Sequence, residues 1–308
     1  MPSTASGRVL VTGASGFVGR MLVERLSEAG YQVAAVGRRK PARHPAGVMP
    51  WHGADLRRDP LDPLVEGIDA VVHAAGVAHA NAPEAVHRAV TVEGTRRLIA
   101  AMQRADVRRI VFVSSIRAQV GAFSDAIVED DRSLSPTDSY GRAKRDAEEL
   151  VGSSALSATI LRPVLVADQG ARGNLAALLR LARSPAPLPF ATFAARRSLI
   201  ARRALADTVA FALREDATIG RRFNVADADP LTLAEMLAIL REAMGRPPRL
   251  FAVPVSLLRA GLNMLGRAED FDRLARPLVV AADGLCRLGW SASETGRDAL
   301  RRMARASG

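Results

Sequence analysis

The chain is short of several residue types, and each shortage narrows what it can be. It has one cysteine, Cys286, so no intramolecular disulfide can form and a reducing compartment is implied. Aromatic residues are 4% of the 308, which leaves little for stacking nucleic-acid bases. No apolar run reaches the length of a membrane span, and the opening MPSTASGR lacks the apolar core of a signal peptide. The expectation is a cytoplasmic protein with no membrane partner. No metal-ligand cluster, P-loop or Ser-His-Asp arrangement is found, so no metal is expected. Lysine and tyrosine are scarce enough to be informative: only Lys40 and Lys144, and only Tyr31 and Tyr140, occur.

The formal net charge of +11 invites a nucleic-acid reading. Almost all of the positive charge is arginine, scattered in pairs with no interleaved aromatic residues. Nucleic acid is therefore not expected as a partner, and attraction for phosphorylated small molecules explains the charge equally well.

What is present begins with Val9 to Gly19, VLVTGASGFVG. A short apolar run stops at Gly13, Gly16 and Gly19 follow at three-residue spacing, and a helical pattern (Phe17, Val18, Met21, Leu22, Leu26) begins at once. That is strand, tight turn and helix. Such a turn leaves unpaired N–H groups at the positive end of a helix, a place suited to a pyrophosphate. Gly13 serves the sharp exit, Gly16 the close approach of phosphate, and Gly19 the packing of helix on strand. Ser15, Phe17 and Val18 share the turn and are taken with the glycines as cofactor-binding residues.

A helix over about 17–29 gives way at Gly30 to a strand, Tyr31–Val36, which ends in Gly37-Arg38-Arg39-Lys40. NAD-binding units carry an acid about 20 residues past the glycines for the ribose 2′-hydroxyl, whereas arginine accommodates a 2′-phosphate. The acid is missing here and cations follow. NADP(H) is favoured through Arg38, with NAD(H) as the alternative. Residues 41–50 read as a Pro-rich loop, Val48–Gly53 as a short strand leading to Asp55-Leu56, and Ile68–Ala75 as a buried strand ending in His73-Ala-Ala-Gly76. His73, in an apolar run, reads as a hydrogen-bonded core histidine. A long helix covers Pro83–Ala105, and Gly94 in its interior suggests close approach of a backbone or ligand. Arg108–Ser114 is a strand, Asp138 caps a helix running to Val151, and Ser157–Arg162 is a strand stopped by Pro163. This alternation predicts an α/β fold with a doubly wound parallel sheet. Beyond Pro163 the pattern loosens into helices at Asn174–Ala182, Ala204–Arg214 and Leu233–Ala243, the last opened by a Thr232–Glu235 capping box. Short strands are predicted at Arg222–Val225 and Leu250–Val253, with helices near 255–265 and 294–306.

One of the two tyrosines, Tyr140, stands four residues before one of the two lysines, Lys144. Composition alone produces this with roughly one chance in a hundred. On a helix the pair shares a face, so the ammonium is expected to favour the ionised phenol and lower its pKa. Such a phenol can give or take a proton at a carbonyl or hydroxyl. Ser115, at the end of the adjacent strand, can hydrogen-bond the same oxygen.

Here the chain resembles the extended short-chain dehydrogenase/reductase family, in its nucleotide-sugar epimerase/dehydratase/reductase branch. The matching pieces include Gly13-x-x-Gly16-Phe-Val-Gly19, Asp55-Leu56, His73-Ala-Ala-Gly76, Val113-Ser-Ser-Ile116, Tyr140-Gly-Arg-Ala-Lys144, Leu161-Arg-Pro163, Arg172-Gly-Asn174-Leu175 and Arg197-Ser-Leu-Ile200. The resemblance implies a Rossmann-type domain at 1–165, rejoined by parts of 190–226, and a smaller substrate-binding lobe at 166–308. It implies that Ser115, Tyr140 and Lys144 are the catalytic trio; the 25-residue separation selects Ser115 over Ser114. By the same resemblance Asp55 and Leu56 hold the adenine, Ala74, Ala75 and Gly76 line the nicotinamide side, and Pro163 abuts the ring. Lys144 also holds the nicotinamide ribose, while Asn174 and Arg197 contact the substrate's diphosphate. A homodimer through helices 83–105 and 138–151 is the family expectation. Departures surround the substrate: Thr91 stands where asparagine is usual, the loop from Ser115 to Gly121 is one residue longer, and Ala167-Asp168-Gln169-Gly170 replaces Tyr-Gly-Pro-Gly.

The function expected is hydride transfer on a UDP- or dTDP-sugar, as a 4-keto reductase or 4-epimerase, with the missing acid at Gly37 tilting toward a reductase. Two other readings fit the same residues: a reductase of a non-sugar ketone, and a non-catalytic NADP-binding regulator.

Overall fold

The computed structural model describes residues 7–38, 48–77, 82–264 and 275–306. The N-terminal stretch 1–6, the cations Arg39 and Lys40, and most of the expected Pro-rich loop lie outside the described residues.

Strand β1 (Arg8–Thr12) leads through the glycine turn into helix α1 (Phe17–Glu28) and β2 (Gln32–Gly37), and β3 (Val48–Gly53) and β4 (Ala70–His73) follow. A short helix at Glu84–His87, a π-helical turn at Arg88–Glu93 and α2 (Gly94–Arg104) run on into one another before β5 (Arg109–Val113). Next come α3 (Ser139–Gly152), β6 (Ser157–Pro163), β7 (Leu165–Ala167), α4 (Asn174–Arg183), β8 (Arg196–Arg197), β9 (Leu199–Ala201), α5 (Arg202–Arg214) and β10 (Arg222–Val225). The remaining elements are β11 (Leu231–Thr232), α6 (Leu233–Ala243), α7 (Val255–Met264), a short helix at Asp283–Cys286 and α8 (Gly296–Arg305).

Seven strands form one sheet in the order β10-β6-β5-β4-β1-β2-β3, every pairing parallel. The strands are apolar on both faces, as a parallel sheet covered by helices requires. Val9, Val11, Val33 and Val72 face α1 and α5 through Leu22, Leu26, Leu205 and Val209. Leu10, Val36, Ile110 and Phe112 face α2 and α3 through Leu98, Met102, Ala147 and Val151. The sheet is therefore doubly wound. From β1 the chain builds outward to β2 and β3, then returns to lay β4 on the other side of β1. A crevice opens at that reversal, outside the carboxyl ends of the strands, where such sheets bind ligands.

After β6 the chain leaves the sheet for β7, α4, β8 and β9, and comes back through α5 to add β10 beside β6, with Val225 opposite Pro163. Outside the main sheet β7 pairs with β9 and β8 with β11. Asp168, in the segment departing from the family pattern, ties this region to the glycine turn. It accepts from Arg202 Nε at 2.7 Å and Arg302 Nε at 2.9 Å. Arg202 in turn donates to the Phe17 carbonyl at 3.2 Å and stacks 4.7 Å over the Phe17 ring.

Two expectations need correcting. Leu250–Val253 is not a strand: only Leu250 makes a bridge, to Leu188. Arg249 at φ +45° breaks the extended backbone just before the run, and Pro254, which has no N–H, ends it, so pairing stops after Phe251 N donates to the Leu188 carbonyl. The Pro83–Ala105 helix contains the π-turn, which apolar periodicity does not reveal.

Candidate active site

The glycine turn is built from close backbone contacts. Gly13 has φ +70°, and a Cβ there would lie 2.7 Å from Ala75 N and 2.8 Å from Ala74 O. The exits of β1 and β4 thus touch, which places Ala74, Ala75 and Gly76 beside the turn. A Cβ on Gly19 would run into the Gly13 carbonyl, the tight helix-on-strand packing read from the sequence. Gly16 is the N-cap of α1, no side chain caps that end and no acid lies in its first turn. The N-terminal N–H groups of α1 and its dipole are left for an anion. This uncapped cradle fits the pyrophosphate of a dinucleotide.

Next to the turn, β2 ends at Gly37 and the exposed Arg38 follows. Asp55 and Leu56 follow β3 and are buried. The Arg57 side chain grips the Asp55 carboxylate, with Nη2 at 2.6 Å, and holds its pKa down to about 2. Gly94 leaves ordinary contact distance to Leu56, where a Cβ would sit 3.5 Å from Leu56 Cβ; a close approach there is not required.

His73 is fully buried and satisfied on both nitrogens, by Thr12 Oγ1 at 2.6 Å and Thr95 Oγ1 at 2.9 Å. Thr95 spends its hydroxyl proton on the Thr91 carbonyl, so Nε2 carries the ring proton. Burial, with Lys144 adding to it, pulls the imidazole down to about 3. It is a neutral structural residue.

Beyond β5 the two serines diverge. Ser114 Oγ donates to Glu148 Oε1 at 2.5 Å, and Glu148 is held by Arg162 Nη2 at 2.6 Å, all three buried. Ser115 caps the turn Ile116–Ala118 by accepting from Arg117 N at 3.2 Å, and its hydroxyl is near enough to the Tyr140 phenol to favour the ionised form. Tyr140 lies in the first turn of α3, where Asp138 accepts from Gly141 N at 2.7 Å as the N-cap. Gly141 itself presses on the loop after Ser115: a Cβ there would collide with the Arg117 carbonyl and sit 2.9 Å from Pro136 Cβ. Glycine at this position is what lets the first turn of α3 pack against the loop that follows Ser115.

Lys144 is buried, donates from Nζ to the Val113 carbonyl at 2.9 Å and lies 4.9 Å over the Phe112 ring. A Cβ on Gly76 would be 3.4 Å from its Nζ, so the ammonium stands between the ends of β4 and β5. Burial pulls it down to about 8 and Glu148 acts against that. Tyr140 behaves otherwise than expected from its spacing to Lys144. Burial pushes the phenol up, while the Ser115 hydrogen bond and the charge of Arg117 pull it down less. The cation felt by the phenol is Arg117, ion-paired to Asp138, because Lys144 is turned to Val113.

Pro163 ends β6, buried. Asn174 stands exposed at the first position of α4, after Gly173 at φ +62°. Arg197 donates to the carbonyls of Arg276 and Ala122, each at 2.8 Å, and is brought down to about 10 by burial and by Arg117. The structure thus gathers the glycine turn, Ala74–Gly76, Ser115, Tyr140, Lys144 and Pro163 along one edge of the sheet. Sequence reasoning missed Arg117, Gly141 and the Ser114–Glu148–Arg162 group. Of these only Gly141, next to Tyr140, carried a signal.

A profile of the NAD dependent epimerase/dehydratase family matches residues 9–226. The chain belongs to that family. It is 27% identical to the UDP-glucose 4-epimerase of Vibrio cholerae over 97% of this chain and 94% of that protein. It is 30% identical to the ceramide reductase of Caulobacter vibrioides over 85% and 78% respectively. Among solved structures, MoeE5 in complex with UDP-glucose and NAD superposes with a TM-score of 0.78 at 23% identity, over 98% of each chain. The protein is an epimerase/dehydratase-family enzyme of the extended short-chain dehydrogenase/reductase type. Its doubly wound sheet is the fold of that group.

Proposed function

We propose that this enzyme transfers hydride at a sugar carbon of a UDP- or dTDP-sugar, as a 4-keto reductase or 4-epimerase, with Ser115, Tyr140 and Lys144 as its catalytic residues. The observation that carries the reading is the grouping of Ser115 at the end of β5, Tyr140 in the first turn of α3, and the buried Lys144 ammonium bonded to the Val113 carbonyl beside Gly76. A bound nicotinamide supplies or accepts the hydride. Ser115 and the phenol hold the reacting oxygen, and Tyr140 gives it a proton in the reductive direction. Lys144 keeps N–H donors for the nicotinamide ribose beyond its bond to Val113. Ser15, Phe17 and Val18 form the turn with the three glycines, Asp55 and Leu56 border the adenine, and Pro163 flanks the ring. On the substrate side we assign the diphosphate to Asn174 and Arg197.

NADP(H) is the favoured cofactor and NAD(H) the alternative. The support is the missing acid and the cation beside it: Gly37 stands at the end of β2, where a side chain would crowd Ser15 and Trp51, and Arg38 is exposed next to it. We place the division between lobes near residue 165, with β10 returned to the first lobe, as its pairing with β6 supports. We also propose a cytoplasmic homodimer through the outer faces of α2 and α3, where a depression of about 280 Å³ lies between Arg88, Arg96, Asp146 and Glu149. Among the described residues no helix is long and apolar enough to cross a membrane.

The test is NADPH oxidation with UDP- and dTDP-4-keto sugars, the product's configuration read by NMR. Turnover of any of them supports the reading. A second reading, reduction of a lipophilic ketone, is favoured by the similarity to ceramide reductase. It takes over if sugar nucleotides neither react nor raise the melting temperature while long-chain ketones are reduced.

A further inference from the structure

The end of the second strand is where dinucleotide-binding sheets read the adenosine ribose, and in this protein an indole occupies that place. Trp51 lies on β3 opposite Ala35, and Gly37 follows on the same face of β2. A Cβ on Gly37 would lie 3.1 Å from Trp51 Cζ2 and 2.8 Å from Ser15 Oγ, in the glycine turn itself. Cζ2 belongs to the edge of the indole that carries the N–H. That N–H is buried and has no hydrogen-bond partner. Buried donors are almost always satisfied, so an orphan calls for a reason. The indole of Trp290 is orphaned too, but it follows Leu288-Gly289 near α8, away from the nucleotide elements. Trp51 combines the orphaned donor with a place at the end of β2, where Gly37 lies between it and Ser15 of the turn.

We propose that Trp51 determines cofactor specificity, its indole N–H donating to the 2′-phosphate of the adenosine ribose. This rests on the NADP(H) reading above and deepens it. An indole N–H donates and cannot accept. A ribose 2′-hydroxyl is recognised by an acceptor, the acid of NAD-binding units, and Gly37 brings none. A 2′-phosphate presents acceptor oxygens to a donor. Arg38 then supplies charge from solvent, while Trp51 supplies direction from within.

The test compares adenosine 2′,5′-bisphosphate with 5′-AMP, which differ only in the 2′-phosphate, on the full-length protein without cofactor. Affinities come from calorimetry on wild type and Trp51→Phe, which keeps an aromatic ring and removes the donor. A charge-assisted hydrogen bond predicts about 10-fold weaker binding of the bisphosphate to the variant, with 5′-AMP within about two-fold. In ¹⁵N-labelled wild type the Trp51 indole resonance moves downfield with the bisphosphate and not with 5′-AMP, with Trp290 as internal control. This readout needs no variant. Wild type binding both nucleotides equally overturns the NADP(H) reading and the inference with it. A wild-type preference for the bisphosphate that Trp51→Phe leaves intact, or equal weakening of both ligands, overturns the inference alone.

Discussion

Replacing Glu148 by glutamine removes one charge from behind the site while keeping the shape of the side chain. Glu148 accepts from Ser114 Oγ at 2.5 Å and from Arg162 Nη2 at 2.6 Å, and it is 1% exposed. It stands one helical turn after Lys144 and holds the ammonium up against a burial that brings it down to about 8. Two charges about 6 Å apart at an effective dielectric of about 20 interact by about 3 kcal/mol. Arg162 cancels much of this, leaving about 1 kcal/mol, a little under one pH unit. The ammonium is lost as pH rises through about 8, and without Glu148 that loss comes earlier. The affinity of the cofactor-free enzyme for NADPH, titrated by fluorescence across neutral and alkaline pH, should therefore fall about one pH unit sooner in Glu148→Gln. The variant leaves Arg162 buried without its counter-charge, at a stability cost of about 2–4 kcal/mol, so circular dichroism and thermal melting come first. Superimposable affinity–pH curves in a folded variant would refute the coupling of Glu148 to Lys144.

Tyr140→Phe should lower turnover at least about 100-fold, the usual worth of a positioned proton donor, with NADPH affinity unchanged in a direct titration. Gly141→Ala sets two effects against each other. Helix propensity favours alanine by about 1 kcal/mol, but its Cβ would collide with the Arg117 carbonyl, so a net loss of about 1–3 kcal/mol in denaturant unfolding and a lower kcat are expected. Asp227 is raised to about 6 by burial first, with Asp298, Glu294 and Asp229 adding to it, while Gly296 N–H lowers it. The fold prefers this group protonated, so its contribution is complete at acid pH and is lost as pH rises through about 6. Asp227→Asn keeps an acceptor for Gly296 N–H, and should melt about 2–4 °C higher than wild type at mildly alkaline pH and equally at acid pH.

Much of the fold was legible because one-dimensional signals matched three-dimensional demands. Val9–Val11 and Ile110–Val113 are apolar on both faces because helices cover both faces of the sheet, and the Thr232–Glu235 capping box forms as written. Leu250–Val253 misled because apolar content does not report the positive φ of Arg249 or the prolines around it. In the site, spacing put Tyr140 and Lys144 on one face of α3, yet it could not show that Val113 would take the ammonium. Nor could it show that burial would outweigh the nearby cation at the phenol. The roles of Ser114 and Glu148 stayed hidden because their partner Arg162 comes from another strand.

The phenol of Tyr140 is set to give a proton rather than to take one. Burial keeps the Tyr140 phenol protonated, and a protonated phenol is what a keto oxygen needs when hydride arrives at its carbon. Oxidation of a hydroxyl demands the opposite, a phenolate, and the resting site opposes that state because Lys144 is engaged with Val113. Arg117 pulls toward the phenolate but shares its charge with Asp138. An oxidised nicotinamide is cationic and a reduced one is neutral, so only the oxidised form adds a charge that favours the phenolate. On the assignment proposed above, the same three side chains present an acid to a ketone beside a reduced cofactor, and move toward a base for an alcohol beside an oxidised one.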